Sequence, residues 1–299
     1  MNIAPELLKG SFPPLVTPFN DDGSIDYDTY AALVEFQIQG GSHGIVVSGT
    51  TGEPSTLTPD ERIQLLKVAV ETARGRLQVI AATGTQNHAD TVTMTVAAEK
   101  AGADGLLIVT PYFLMPPQRG LESYYRDLCG RTSLPVMIYH IPGRAAVSMS
   151  CDTIAGIAEA TPNLVGIKHA STDLGLVSEL IARLGPDFRI HVGLEELSLP
   201  MLAIGAAGLT NAVSNIAPAK VAALYNAAAA GDLIGARALH YELLELNKAV
   251  FYDTNPIPMK YMMQRMGLLR NELHRLPMAS STPELRKKLD EVLERAGLR

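Results

Sequence analysis

The feature that most restricts how this chain can fold is a short apolar run that returns about every thirty residues. Eight such runs, each closed by turn residues, occupy residues 14–19, 44–48, 77–82, 105–110, 135–140, 164–169, 189–192 and 208–213. From the first to the sixth, their starts lie 30, 33, 28, 30 and 29 residues apart. A strand, a helix and two connections need about that much chain, so each step reads as a βα unit. Most runs are apolar on both faces, the mark of a parallel sheet covered by helices.

The stretches between the runs carry helix punctuation. Thr58, Pro59 and Asp60 open a helix over residues 61–73 that closes at Gly75, and residues 87–101 form another with Gly102 just past its end. Six units could make an open doubly wound sheet, whereas eight favour closure. The expected fold is therefore α/β, a TIM (β/α)8 barrel over residues 1–217 with a C-terminal helical extension over 218–299. In the extension, residues 218–230, 233–251, 258–266 and 283–296 are helical in pattern. It is Ala-rich, amphipathic and joined by no linker, so it should pack on the barrel or on a neighbouring subunit.

Composition excludes several classes of function. The 299 residues include 25 Lys and Arg against 31 Asp and Glu, a formal charge of -6, which leaves no basic footprint for nucleic acid. No uninterrupted apolar stretch reaches the ~18 residues of a membrane span, and residues 1–10 lack a basic start followed by an apolar run. A cytoplasmic location is expected. Cys129 and Cys151 match no zinc or CxxC spacing and are expected as free thiols.

In a barrel the chemistry gathers where the strands end, because the loops there converge over one mouth. The second run ends in Ser48-Gly49-Thr50-Thr51-Gly52-Glu53, whose glycines, amides and hydroxyls can cradle a small anion such as a carboxylate. An ordinary Gly turn capped by Thr is the competing reading. The fifth run carries Tyr139 near its end, with Arg144 shortly after, and the sixth carries Lys168. A lysine ending an apolar buried strand must be paired, neutral or reactive. Desolvation favours the neutral amine, which adds to a ketone to give an imine. Alternatively the side chain snorkels out or serves as a point charge for phosphate. Amine, cradle and phenol on three strands of one barrel make a site for a 2-keto acid, with the phenol relaying protons. Arg144 can fork onto a second carboxylate or form a surface salt bridge.

Two signals are set aside. Gly40-Gly41-Ser42-His43-Gly44 has the GxSxG spacing but runs from helix to strand, the reverse of a nucleophile elbow. His140, His169 and His191 lie on three successive runs and suggest a metal. If Tyr139 and Lys168 face inward, however, alternation turns His140 and His169 to the helix layer, so no metal is expected.

Over nearly its whole length the chain resembles the dihydrodipicolinate synthase and N-acetylneuraminate lyase family of pyruvate-dependent lyases. The marks are Gly49-Thr50-Thr51-Gly52-Glu53, Thr110-Pro111-Tyr112, Tyr139 followed by Ile141-Pro142, Gly166-Ile167-Lys168 and Asn255-Pro256-Ile257-Pro258. The resemblance implies that Lys168 forms the Schiff base with pyruvate, that Thr50 and Thr51 bind its carboxylate, and that Tyr139 shuttles protons. Gly49 and Thr210 fall beside the substrate. The paired threonines, Arg144 and the Asn-Pro-Ile-Pro segment are closest to the dihydrodipicolinate synthase branch, where Arg144 would hold the carboxylate of aspartate 4-semialdehyde. That branch makes 4-hydroxy-tetrahydrodipicolinate on the route to lysine. Its partners are small molecules only, its covalent imine replaces any cofactor, and it is usually a homotetramer built as a dimer of tight dimers.

Departures bear on the substrate. Phe113 stands where that branch has a Tyr reaching across the tight dimer, and a phenyl ring cannot pass a proton. His140, Ala145, His169 and Thr210 also differ from the usual residues. Two other readings remain open at this level. One is an aldolase or dehydratase for 2-keto-3-deoxy sugar acids or another 4-hydroxy-2-oxo acid, read by Arg144, Thr210 and Asn211. The other is a non-catalytic keto-acid sensor, supported only by Phe113. Positions matching the lysine feedback site of the branch hold Pro54, Ser55, Pro59, Arg62, Gln86 and Asp90, a poor match. Added lysine should therefore leave activity nearly unchanged, and a steep fall in an inhibition titration would refute this.

Overall fold

The computed structural model describes residue 4 and residues 6–299; residues 1–3 and 5 of the N-terminal stretch in which no targeting pattern is expected lie outside the described residues. Eight parallel strands form one sheet: β1 (Gly10–Ser11), β2 (Gly44–Val47), β3 (Gln78–Ala82), β4 (Gly105–Val109), β5 (Val136–His140), β6 (Leu164–His169), β7 (Arg189–Val192) and β8 (Gly208–Leu209). From β2 to β8 each strand pairs with the next in chain order, and β1 pairs with β8. The seam between β1 and β2 is bridged by the amides of His43 and Val46, which donate to Ser11 O and Pro13 O at 3.0 and 2.8 Å. The sheet is thus a nearly closed barrel with helices between its strands.

The first strand lies earlier than the apolar run at 14–19 suggests. Pro13, Pro14 and Pro18 have no N–H to give a ladder, so that segment meets β2 only at Pro14 opposite Val46, while the residues before it pair with β8. The eighth strand is also shorter than expected, because residues 212–215 turn into a 3₁₀ helix. Helix punctuation reads correctly: Thr58 and Glu61 form a reciprocal capping box on Pro59–Ala73, and Asn87 caps His88–Lys100.

Both faces of the strands are apolar because both are covered. Along β4, Leu106 and Ile108 join the core between sheet and helices, while Leu107 joins Phe12, Val46, Ile80, Met137 and Val165 inside the barrel. The tail comprises the helices Pro218–Ala229, Leu233–Ala249, Ile257–Arg265 and Pro283–Arg295. The first packs against β1 and β8 and fills the place of the eighth barrel helix.

One irregularity decides where the chemistry can be. Between β5 and β6 the register slips by one residue at Val136 and Met137, so that Met137 pairs with Gly166 and Tyr139 with Lys168. Val165 points into the barrel, and unbroken alternation from it would send Lys168 outward; the slip returns Lys168 to the interior. Gly166 makes this possible, since a Cβ there would run into the Arg189 carbonyl.

His140 and His169 lie on the opposite face, buried among helices. The Met149 amide donates to His140 Nε2 at 3.2 Å, and His169 Nε2 lies 3.0 Å from Asp173 O, so it carries the proton. The 3.2 Å contact between the two Nδ1 atoms then has His140 as donor, and both rings are neutral. Burial pushes His140 down to about 4, with a protonated His169 opposing its charge further, and burial also lowers His169. His191, inside the barrel, is likewise pushed by burial to about 4. Below the ordinary histidine value of 6.5 the unfolded chain takes up protons that the folded one refuses. Stability should be full above that value and fall towards pH 4, by at most about 1.4 kcal/mol per pH unit for each histidine. Denaturant unfolding across that range checks this; a curve flat from pH 7 to 4.5 would contradict it.

Candidate active site

At the carboxyl ends of the strands lies a cavity of about 430 Å³. Lys168, Tyr139, Thr50, Thr51, Arg144 and Thr210 all line it, so six of the seven residues singled out in the sequence converge. Gly49 does not line it. It opens the turn instead, where Pro14 and Val46 leave little room for a larger residue. Larger depressions of about 630 and 530 Å³ lie on the tail, but no strand end converges on them.

Lys168 is 5% exposed, and its Nζ stands 4.2 Å from the centroid of the Tyr139 ring, its neighbour across the β5–β6 ladder. The face of an aromatic ring attracts an ammonium and equally accommodates the free amine. The Tyr139 hydroxyl is 3.3 Å from Thr50 Oγ1, which ties the phenol to the turn after β2. That turn is a 3₁₀ helix, Thr50–Gly52, followed by Glu53 in the left-handed region at φ 55°. Thr17 Oγ1 donates to Gly52 O at 2.7 Å, and a Cβ on Gly52 would press on the Leu15 carbonyl.

Arg144 sits on the short helix Pro142–Ala145 at the rim, with Nη2 3.5 Å from Asn255 O. Thr210 is buried inside and pairs with His191 Nδ1 at 2.9 Å. His191 Nε2 lies 2.8 Å from Leu8 O and must carry the proton, so Nδ1 accepts and the Thr210 proton is committed to it. Thr210 therefore shows the cavity only lone pairs. Among the described residues no group of three or more His, Cys, Asp and Glu side chains is placed to hold a metal.

Two further polar residues of the cavity, Asn255 and Glu195, were given no role in the site by the sequence. Asn255, from the tail, donates Nδ2 to Thr51 Oγ1 at 2.9 Å, which leaves the Thr51 proton free to point at an anion. Glu195, just past β7, is 2% exposed and its Oε1 accepts from the Ala212 amide at 2.6 Å. Burial pushes its carboxyl up to about 7, against the pull of backbone amides and the Lys168 charge. The available signal was a carboxylate directly after a strand end in Gly193-Leu194-Glu195-Glu196. Phe113 lies elsewhere: it is 85% exposed at φ 77°, beside the exposed Leu114 and Met115.

A buried amine against a phenol, beside a turn of paired hydroxyls and under a rim arginine, can form an imine with a small keto acid and move protons on it. Comparison with known proteins agrees. Residues 7–296 match the model of the dihydrodipicolinate synthetase family. The chain is 44% identical over 293 residues to a 4-hydroxy-tetrahydrodipicolinate synthase of Thermus thermophilus, covering 98% of this chain and 97% of that one. The dihydrodipicolinate synthase structure from Aquifex aeolicus superposes with a TM-score of 0.95 at 39% identity, over 97% of this chain and 98% of that one. A structure described as the first monomeric dihydrodipicolinate synthase variant gives a TM-score of 0.94 at 34% identity, over 98% of each chain. With the strand-end lysine, phenol and threonine pair in one cavity and the match running nearly end to end, the chain belongs to the dihydrodipicolinate synthetase family.

Proposed function

We propose that this chain is a 4-hydroxy-tetrahydrodipicolinate synthase that condenses pyruvate with aspartate 4-semialdehyde through an imine on Lys168. The observation that carries the reading is the Lys168 amine held over Tyr139, whose hydroxyl meets Thr50 in the same cavity. High identity to synthases over nearly the full length favours this aldehyde over sugar acids, and the intact amine and phenol argue against a sensor.

Lys168 Nζ adds to the pyruvate carbonyl carbon while Tyr139 gives a proton to the oxygen. The carbinolamine then loses water to form the imine. Thr51, whose oxygen takes the Asn255 N–H, donates its proton to the pyruvate carboxylate, and Thr50 and Tyr139 pass the protons that the imine and enamine exchange. The enamine methylene attacks the aldehyde carbon, with Arg144 gripping the second carboxylate at the rim. Attack of the new partner's amine on the imine carbon closes the ring and releases Lys168. The imine itself is the electron sink, so no cofactor or metal is required. Phe113 supplies no proton, and Tyr139 with Thr50 forms the whole relay within one chain. Exposed Phe113, Leu114 and Met115 form an apolar edge that supports self-association, in keeping with a cytoplasmic homotetramer.

Turnover of pyruvate with aspartate 4-semialdehyde, followed by product identification, tests this. Lys168→Ala should abolish it, and Tyr139→Phe should lower kcat about a hundredfold. Thr51→Val should raise KM for pyruvate about tenfold with a smaller effect on kcat. Undiminished turnover in Lys168→Ala, or a different product from the unaltered protein, would overturn the reading.

A further inference from the structure

The turn that presents Thr50 and Thr51 has few bonds of its own. Within it, the Gly52 amide reaches Gly49 O and the Glu53 amide reaches Thr50 O, at 2.8 and 3.1 Å. A second 3₁₀ turn, Pro54–Thr56, follows at once, and between them Glu53 holds a left-handed conformation that side chains with a Cβ adopt only when their surroundings enforce it.

What enforces it comes from the tail. Glu53 Oε1 is 2.5 Å from Lys260 Nζ, and Glu53 Oε2 accepts from His274 Nδ1 at 3.0 Å, with all three side chains 1% exposed. Lys260 Nζ also donates to Leu273 O at 2.9 Å and stands 4.2 Å from the centroid of the Phe19 ring. Burial presses the Lys260 ammonium down to about 8 while the Glu53 charge opposes this, so the cation depends on its carboxylate. His274 Nε2 is buried without a hydrogen-bond partner, which leaves the bond to Glu53 as the role of that ring. Next in the chain, Arg275 forks onto Glu61 at 2.7 and 2.9 Å and donates to Thr56 O at 3.1 Å, holding the far side of the same loop.

A charge pair buried this deeply contributes little net stability compared with well-packed apolar groups, so stability alone is a weak reason for it. Its direction is informative: both Glu53 oxygens meet groups of the tail and Glu53 does not line the cavity, whereas Thr50 and Thr51, in the turn just before it, do. We infer that Lys260 and His274 are positioning residues for keto-acid binding: gripping Glu53, they fix the Thr50-Thr51 turn, so that the tail sets the affinity of the barrel for pyruvate. This rests on the proposed binding of the pyruvate carboxylate by that turn.

The test compares the unaltered protein with His274→Leu, with the double variant Glu53→Gln plus Lys260→Met, and with Lys260→Arg. The double variant removes both charges together, so no unpaired ion is left buried. Misplacing a binding group by a fraction of an ångström should raise KM for pyruvate, and the half-saturation for adduct formation on Lys168, about tenfold in the first two, with kcat changed less than about threefold. Lys260→Arg keeps a cation and should recover much of the affinity. Should the double variant fail to fold, His274→Leu decides, since it leaves the ion pair in place. Variants with a lowered Tm but an unchanged KM and half-saturation would overturn the inference, because that is what scaffolding alone would give. Failure of the unaltered protein to form any adduct would instead sink the underlying reading of the site.

Discussion

The site depends on a slip of one residue in the ladder between β5 and β6. Strand alternation is strict, and a lysine at position 168 in an unbroken ladder would face the helices, with its neighbour His169 inside. The bulge at Val165-Gly166 reverses that, sets the Lys168 amine over the Tyr139 ring, and leaves the two histidines as a neutral, hydrogen-bonded pair on the outer face. Gly166 pairs chain geometry with chemistry here, because only a residue without a side chain fits against β7 at that point. Exchanging it would shift the nucleophile without altering the identity of any catalytic residue.

Beneath the amine, Phe12, Val46, Ile80, Leu107, Met137 and Val165 fill the barrel, so the polar layer rests on an apolar plug and opens only towards the mouth. Several hydroxyls at the cavity are tied to neighbours. Thr210 donates to His191, Thr51 accepts from Asn255, and Thr50 and Tyr139 share a hydrogen bond that either hydroxyl can donate, so each hydroxyl has a fixed neighbour before substrate arrives. Donors held in place are worth more than mobile ones, since less reorganisation is needed as charge develops. The tail contributes to this order by supplying Asn255 and the groups that hold Glu53.

Much of this was legible in the sequence, for identifiable reasons. Eight apolar runs at βα spacing specify a barrel because only covered parallel strands are apolar on both faces, and β6 and β7 fall where the runs place them. The first strand was misplaced because prolines make an apolar run without supplying ladder donors. Lys168, Tyr139 and the threonine pair stood out as polar residues at the ends of apolar strands. The bulge did not, since register depends on a neighbour distant in sequence. Glu195 was obscured by a second carboxylate beside it in a loop. Asn255 and His274 gain their roles only when a tail more than 200 residues downstream folds back on the turn after β2, a contact that local patterning does not encode.

The central claim is that one amine, Lys168, carries the chemistry. Incubation with pyruvate followed by borohydride reduction and peptide mapping by mass spectrometry tests it most directly. A single reduced pyruvate adduct on the peptide containing Lys168, absent from Lys168→Ala, is the expected result. No adduct, or an adduct on another lysine such as Lys260, would contradict the account.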